Sequence, residues 1–219
     1  MSLILKDDPP NPHLNEEYEP INPHLSSTKN PPKGHLMGVT SLSYNPKKDI
    51  LATGSDDTTW KLFSLPEGQL IMSGEGHQDW IGGIAFHPYA HYLATASGDG
   101  CVKVWDYANT KCQTTYTEHG QPVWKVDWHH SGDFLISCSM DHSIKLWDMV
   151  NTKASRFTFR GHVDSVNSIQ WRPYSNVFVS GSGDKTVSLW DIRTNKNGGG
   201  CVQTFYGHNN SVNTVKFNL

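Results

Sequence analysis

The chain has 219 residues, 36% of them hydrophobic and 18% charged, with a formal net charge of −3. These values exclude a highly charged disordered polymer and give no support to a basic, phosphate-seeking surface, so no nucleic acid partner is expected. No run approaches the roughly 18 apolar residues of a membrane span, and Met-Ser-Leu-Ile-Leu-Lys is not a secretory leader, so the sequence reads as soluble and intracellular with no membrane partner. Cys101, Cys112, Cys138 and Cys201 show no CxxC or CxxH spacing, which predicts reduced thiols rather than a zinc site or a disulfide framework.

Residues 1–33 hold seven of the twelve prolines, the acidic residues Glu16, Glu17 and Glu19, and a duplicated Asn-Pro-His-Leu. Proline at that density prevents helix interiors and central strands, so an extended Pro-rich tail is expected, either a disordered leader or a strap along a partner. From residue 34 the chain repeats itself. His35, His77, His119, His162 and His208 stand 42, 42, 43 and 46 residues apart, all but His119 preceded by Gly. Twenty-eight residues after each of the first four come Phe63-Ser64, Trp105-Asp106, Trp147-Asp148 and Trp190-Asp191. Six residues before each of those aromatics stands Asp57, Asp99, Asp141 or Asp184, and ten before stands Thr53, Thr95, Ser137 or Ser180. A second hydroxyl follows two positions later at Ser55, Ser97, Ser139 and Ser182.

Between these landmarks the apolar pattern is that of strands. Positions +4, +7 and +9 after each histidine are apolar, as in Ile81, Ile84, Phe86 and in Val166, Ile169, Trp171. A second run precedes the hydroxyls (Tyr92-Leu93-Ala94), a third leads into the Trp (Val102-Lys103-Val104-Trp105), and a fourth precedes the next Gly-His (Arg156-Phe157-Thr158-Phe159). Each copy therefore predicts one four-stranded antiparallel sheet.

Gly-His and Trp-Asp recurring at 42 to 46 residues resemble the WD-repeat signature, over residues 34–219. The resemblance implies an all-β fold, a WD-repeat β-propeller of four blades (34–75, 76–117, 118–160 and 161–206) plus the first strand of a fifth (207–219). At this repeat length the chain would form an incomplete ring, completed by other chain segments or belonging to a longer product; a closed four-bladed ring would refute that. The resemblance further implies a structural tetrad in each blade, in which the Trp indole bonds the hydroxyl, the hydroxyl bonds His and His bonds Asp. The members are His77, Thr95, Asp99, Trp105; His119, Ser137, Asp141, Trp147; and His162, Ser180, Asp184, Trp190, with the second hydroxyl of each blade an alternative member. A catalytic triad is excluded because the same set recurs in every copy. No catalytic residue, cofactor or metal site is expected; His129 and His130 are adjacent and lack strand spacing onto one face. Blade one, with Phe63 for Trp, must have an incomplete network, and Glu118 in the place of Gly leaves the geometry of its loop open.

Propellers of this kind bind partners on the face that carries the loops before each first strand. Trp80, Trp124 and Met140 are expected there as an apolar hot spot, with Asp79, Asp164, Asn167 and Asn213 as polar rim. The alternative is that both indoles simply fill the inner end of the channel. The insertion Asn195 to Gly200 reads as a flexible outer loop.

Asp7-Asp8-Pro9-Pro10-Asn11-Pro12, Gly76-His77-Gln78-Asp79-Trp80-Ile81, Val123-Trp124, Asp127-Trp128-His129 and Gly161-His162-Val163-Asp164-Ser165-Val166 resemble, in order, the sperm-associated antigen 16 family. That resemblance implies a non-catalytic scaffold of the central-pair apparatus in the axoneme of motile cilia and flagella, with other central-apparatus subunits and microtubules as partners. The family form has a coiled coil before its propeller that this chain lacks, leaving open a short isoform, a truncated gene product or a fragment. A soluble WD-repeat adaptor of a ubiquitin-ligase or signalling complex is the alternative. An enzyme would need a Gly-rich phosphate loop, a nucleophile elbow or a metal cluster, and the sequence has none.

Overall fold

The computed structural model describes residues 34–45, 47–151, 154–194 and 200–218. The expected tail and residues 195–199 of the insertion lie outside them. All regular structure among the described residues is β, in four antiparallel sheets of four consecutive strands each. The first sheet holds β1 (Val39–Asn45), β2 (Ile50–Ser55), β3 (Trp60–Ser64) and β4 (Leu70–Gly74). The second holds β5 (Ile81–Phe86), β6 (Tyr92–Ser97), β7 (Val102–Asp106) and β8 (Lys111–Tyr116). The third holds β9 (Val123–Trp128), β10 (Phe134–Ser139), β11 (Ser143–Asp148) and β12 (Phe157–Arg160). The fourth holds β13 (Val166–Trp171), β14 (Val177–Ser182), β15 (Val187–Asp191) and β16 (Cys201–Phe205).

Two local devices recur in the sheets. The turn between second and third strands needs a left-handed residue after its Asp. Gly100 adopts it freely at φ 78°, while Thr58, His142 and Lys185 adopt it against their Cβ at φ 68°, 66° and 71°. The first ladder of each sheet is interrupted by a bulge near the start of the inner strand, between Val39 and Ser41, Ile81 and Gly83, Val123 and Lys125, and Val166 and Ser168. The skipped residues, Thr40, Gly82, Trp124 and Asn167, all stand at +5 after the repeat histidine, and a bulge re-aims its side chain.

The core lies between sheets. Ile81, Ile84 and Trp105 pack with Ala52, Trp60 and Leu62 of the preceding sheet; Val126 and Trp147 pack with Ala94 and Val104; Ile169 and Trp190 pack with Ile136 and Leu146. The +4 and +7 side chains therefore close the gap to the preceding sheet. In β1 the same positions have no such cover: Val39 and Leu42 are 52% and 64% exposed, and Tyr44, at +9, is 51% exposed. A closed four-bladed ring would bury them.

A second tie runs between inner strands through the residue at +8. Ser43 Oγ accepts the Phe86 amide at 3.2 Å, Asp127 Oδ2 the Trp171 amide at 2.8 Å, and Gln170 Oε1 the Phe217 amide at 2.7 Å. At the one step where this residue is Ala85, the Trp128 indole reaches its backbone carbonyl at 3.1 Å instead. Residues 211–218 lie along β13 by the same device, joined by the Val215 amide on Ser168 Oγ and by the buried Val212, but form no ladder with a further strand.

Candidate functional site

The repeat histidines, acids and hydroxyls meet in every sheet. In the second, the Trp105 indole lies 2.8 Å from Thr95 Oγ1, Thr95 Oγ1 lies 2.7 Å from His77 Nε2, and His77 Nδ1 lies 2.9 Å from Asp99. Trp147, Ser137, His119 and Asp141 repeat these links at 2.8, 2.8 and 2.7 Å. Trp190, Ser180, His162 and Asp184 repeat them at 2.7, 2.7 and 2.8 Å. An indole N–H can only donate, so the hydroxyl accepts it and passes its own proton toward Nε2. This leaves Nδ1–H to donate to the carboxylate and fixes one neutral tautomer. The same carboxylate oxygen also accepts an amide of the incoming loop, from Leu36, Gln78, Gly120 or Val163.

In the first sheet His35 keeps Asp57 at 3.0 Å and Thr53 at 2.6 Å, but Phe63 supplies no donor. Its indole is elsewhere. Trp60 stands opposite Gly74 in the β3–β4 ladder and covers it, reaching Trp105 with ring centroids 5.5 Å apart. The corresponding outer-strand residues Tyr116 and Phe159 make this contact themselves, on Trp147 and Trp190. Glu118 does not disturb its loop. Gly76 has φ 139°, whereas Glu118 needs no positive φ, and its carboxylate accepts bonds from Lys145, the Ser155 amide and the Ser155 hydroxyl.

The second hydroxyls stand apart from the tetrad and bind turn to loop. Ser97 Oγ accepts the Asp99 amide and donates to the Asp79 carbonyl, and Ser139 and Ser182 do the same. A further hydroxyl, two residues after Asp, escaped the sequence reading. Thr59, Ser143 and Thr186 donate to their aspartates at 2.6, 2.5 and 2.6 Å, while Cys101 takes the place in the second sheet. Its signal was the plain recurrence of Ser or Thr at that offset. The inner-strand tie at +8 was missed because Ser, Ala, Asp and Gln share no residue type.

The network is closed to chemistry. Burial opposes ionisation of Asp57 and Asp184, but bonds from the hydroxyls of Thr59 and Thr186, from histidine and from loop amides hold both carboxyls at about 2. Asp99 and Asp141 are likewise held well below the usual range against their burial, chiefly by His77 and His119. Burial lowers His35, keeping it neutral. Ser137 and Ser180 are fully buried beneath indole and imidazole, so no substrate reaches them. Among the described residues no group of three or more His, Cys, Asp or Glu is placed to hold a metal.

At the loop end of the sheets Trp80 and Trp124 stack, with ring centroids 4.9 Å apart and planes 28° from parallel, each half-buried. Glycines make room for them: a Cβ on Gly82 or Gly98 would lie 2.5 or 2.6 Å from the Trp80 ring. Trp124 is the bulge residue of β9, and its indole donates to Ser165 Oγ at 2.9 Å; Ser165 bonds Asn167, and Asn167 bonds the Val212 carbonyl. Asp79 and Asp164 are exposed, each accepting the amide of the next residue. Met140 is 46% exposed on the neighbouring β10–β11 turn, its amide on the Pro122 carbonyl. Asn213 is exposed beyond Val212. A cavity of about 310 Å³ opens between the inner strands, lined by Ser43, Ile84, Lys125, Asp127, Gln170 and Lys216 among others, and neither indole lines it.

Three relatives share part of the chain. A Chlamydomonas reinhardtii protein named flagellar WD repeat-containing protein Pf20 is 46% identical over 69 residues, 32% of this chain and 11% of its own length. The human sperm-associated antigen 16 protein is 42% identical over 73 residues, 32% of this chain and 12% of its own length, and the mouse protein of that name is 44% identical over 42 residues, 19% of this chain and 7% of its own length. The matched segment is thus about a tenth of each relative. The description "WD domain, G-beta repeat" fits residues 27–64, 68–106, 110–148, 153–191 and 199–219. Matched over most of its length and built of repeated four-stranded sheets, the chain belongs to the WD-repeat family.

Proposed function

We propose that the chain is a non-catalytic protein-interaction scaffold of the axonemal central-pair apparatus in motile cilia and flagella. The observation that carries the scaffold reading is the division of labour among the polar groups. His, Asp and hydroxyls are consumed in each sheet by links that hold turn to loop, whereas the Trp80–Trp124 pair stands half-exposed on that fixed frame. Buried, satisfied networks rigidify; half-exposed indoles anchor partners. Trp80, Trp124 and Met140 form the apolar centre of the partner surface, rimmed by Asp79, Asp164 and Asn167. The ciliary setting is supported by the likeness to a relative named for flagella and to sperm-associated antigen 16, with central-apparatus subunits and microtubules as partners in a stable complex. Retention tests it: tagged chain expressed in ciliated cells is expected to stay with demembranated axonemes through a high-salt wash. Its release with the soluble fraction would overturn the axonemal role.

A further inference from the structure

The loop face is uneven in charge. Asp79 and Asp164 directly precede Trp80 and Ser165, the acceptor of the Trp124 indole, and Asp56 stands one repeat earlier at the position of Gly98; all three are exposed, and among the described residues no cation stands at the equivalent repeat positions. The carboxyls of Asp57, Asp99, Asp141 and Asp184 stay ionised because their bonds hold them far below neutral pH. Lys185 is the lone cation of these four turns. Lys125 and Lys216 belong to the cavity between the inner strands, where the Lys125 ammonium meets Ser168 Oγ. Arg160, exposed at the end of β12, is the other cation near this end, so Asp56, Asp57, Asp79, Asp99, Asp141, Asp164 and Asp184 face only Lys185 and Arg160 there among the described residues.

Two features of the indole pair bear on what covers it. Trp124 spends its N–H on Ser165, but the Trp80 indole N–H has no acceptor among the described residues and, unlike those of Trp60 and Trp171, is not fully buried. Both indoles are half-buried rather than enclosed, and a cation over a Trp ring within about 6 Å is the strongest pairing of that kind. Resting on the scaffold reading above, we infer that the partner engaging this face is a basic polypeptide segment. An arginine or lysine side chain of that segment caps the Trp80–Trp124 stack, its neighbouring cations face Asp79, Asp164 and Asp56, and its backbone accepts from the Trp80 indole. Met37 and Met140, 62% and 46% exposed at the positions that Asp79 and Gly98 hold in the second repeat, supply adaptable apolar cover for its aliphatic stems. An acidic segment is rejected, because each carboxylate it brings meets another.

The test titrates the full chain with a nine-residue peptide alternating glycine and arginine, and separately with its glycine–glutamate counterpart, following tryptophan fluorescence. Binding of the arginine peptide is expected, at least tenfold weaker at 300 than at 50 mM salt, with none by the glutamate peptide. The combined Asp79→Asn, Asp164→Asn variant should weaken binding at least fivefold, since each asparagine keeps the oxygen that accepts the next amide and removes only the charge. Trp80→Ala should weaken it tenfold; where that variant fails to fold, the asparagine pair gives the same reading. Equal binding of the glutamate peptide, or unchanged affinity in the asparagine variant, overturns the inference. A chain retained in axonemes that ignores the arginine peptide sinks this inference alone, and one that binds the peptide but washes out sinks only the axonemal role.

Discussion

Asp141 shows what a single carboxylate holds in this molecule. It takes the His119 ring at 2.7 Å, the Gly120 amide at 3.2 Å and the Ser143 hydroxyl and amide at 2.5 and 2.9 Å, so removing it strands four donors at once. Each buried group left without a partner carries a desolvation penalty. Asp141→Ala should therefore lower stability by roughly 1–3 kcal/mol, read as a fall in melting temperature; an unchanged melting temperature contradicts the assignment. Gly74 tests the converse, a residue chosen for what it lacks. A Cβ there would sit 2.1 Å from Trp60 Cε2, inside a ring packed on both sides, whereas a Cβ on Gly120 would meet nothing within 4 Å. Gly74→Ala should cost about 1–3 kcal/mol by overpacking and Gly120→Ala much less, compared by urea midpoints. The histidines, acids and first hydroxyls were legible because offsets of 6, 10 and 28 recur four times. The covering of Gly74 by Trp60 was not, since it compensates across a ladder for a missing aromatic and leaves no repeating mark.

At the level of the sheet, strand number and order followed from alternation and turn spacing, while the ties between sheets did not. Those ties are carried by whatever acceptor stands at +8, and the chemistry differs at each step. Asp127 is the ionisable one. Burial pushes its carboxyl up to about 6, against the pull of the Trp171 and Trp128 amides. A group whose folded value exceeds its unfolded value near 4 binds more protons in the folded state across that interval. Stability should therefore fall as pH rises from about 4 to about 6 through this residue. Asp57 and Asp184, at about 2, act in the opposite sense and withdraw stability as pH drops below about 4. Asp127→Asn keeps an oxygen for the Trp171 amide and removes the titration, so relative to the parent chain its denaturation midpoint should rise, or fall less, between pH 4 and 6. An identical pH profile would show that Asp127 does not titrate differently on folding.

The whole molecule is governed by which faces have a neighbour. Ile84 and Ile169 are 7% and 2% exposed because a preceding sheet covers them, whereas Leu42, at the same position in its repeat, is 64% exposed. The residue type is set by the repeat, and the burial by the arrangement of sheets, which is why the sequence predicted the side chain at every +7 position and could not by itself assign its energy. Ile169→Ala should cost about 2–5 kcal/mol, the range for emptying a core site. Leu42→Ala, removing atoms that already meet water, should stay within about 0.5 kcal/mol. Leu42 also lies beside Val39 and Tyr44 in one apolar strip, and such a strip beside the open edge of β1 favours association between molecules. Light scattering against concentration should show association in the parent chain, reduced in the combined Leu42→Lys, Tyr44→Lys variant with no loss of melting temperature. If scattering is unchanged in that variant, the strip is inert and does not drive association.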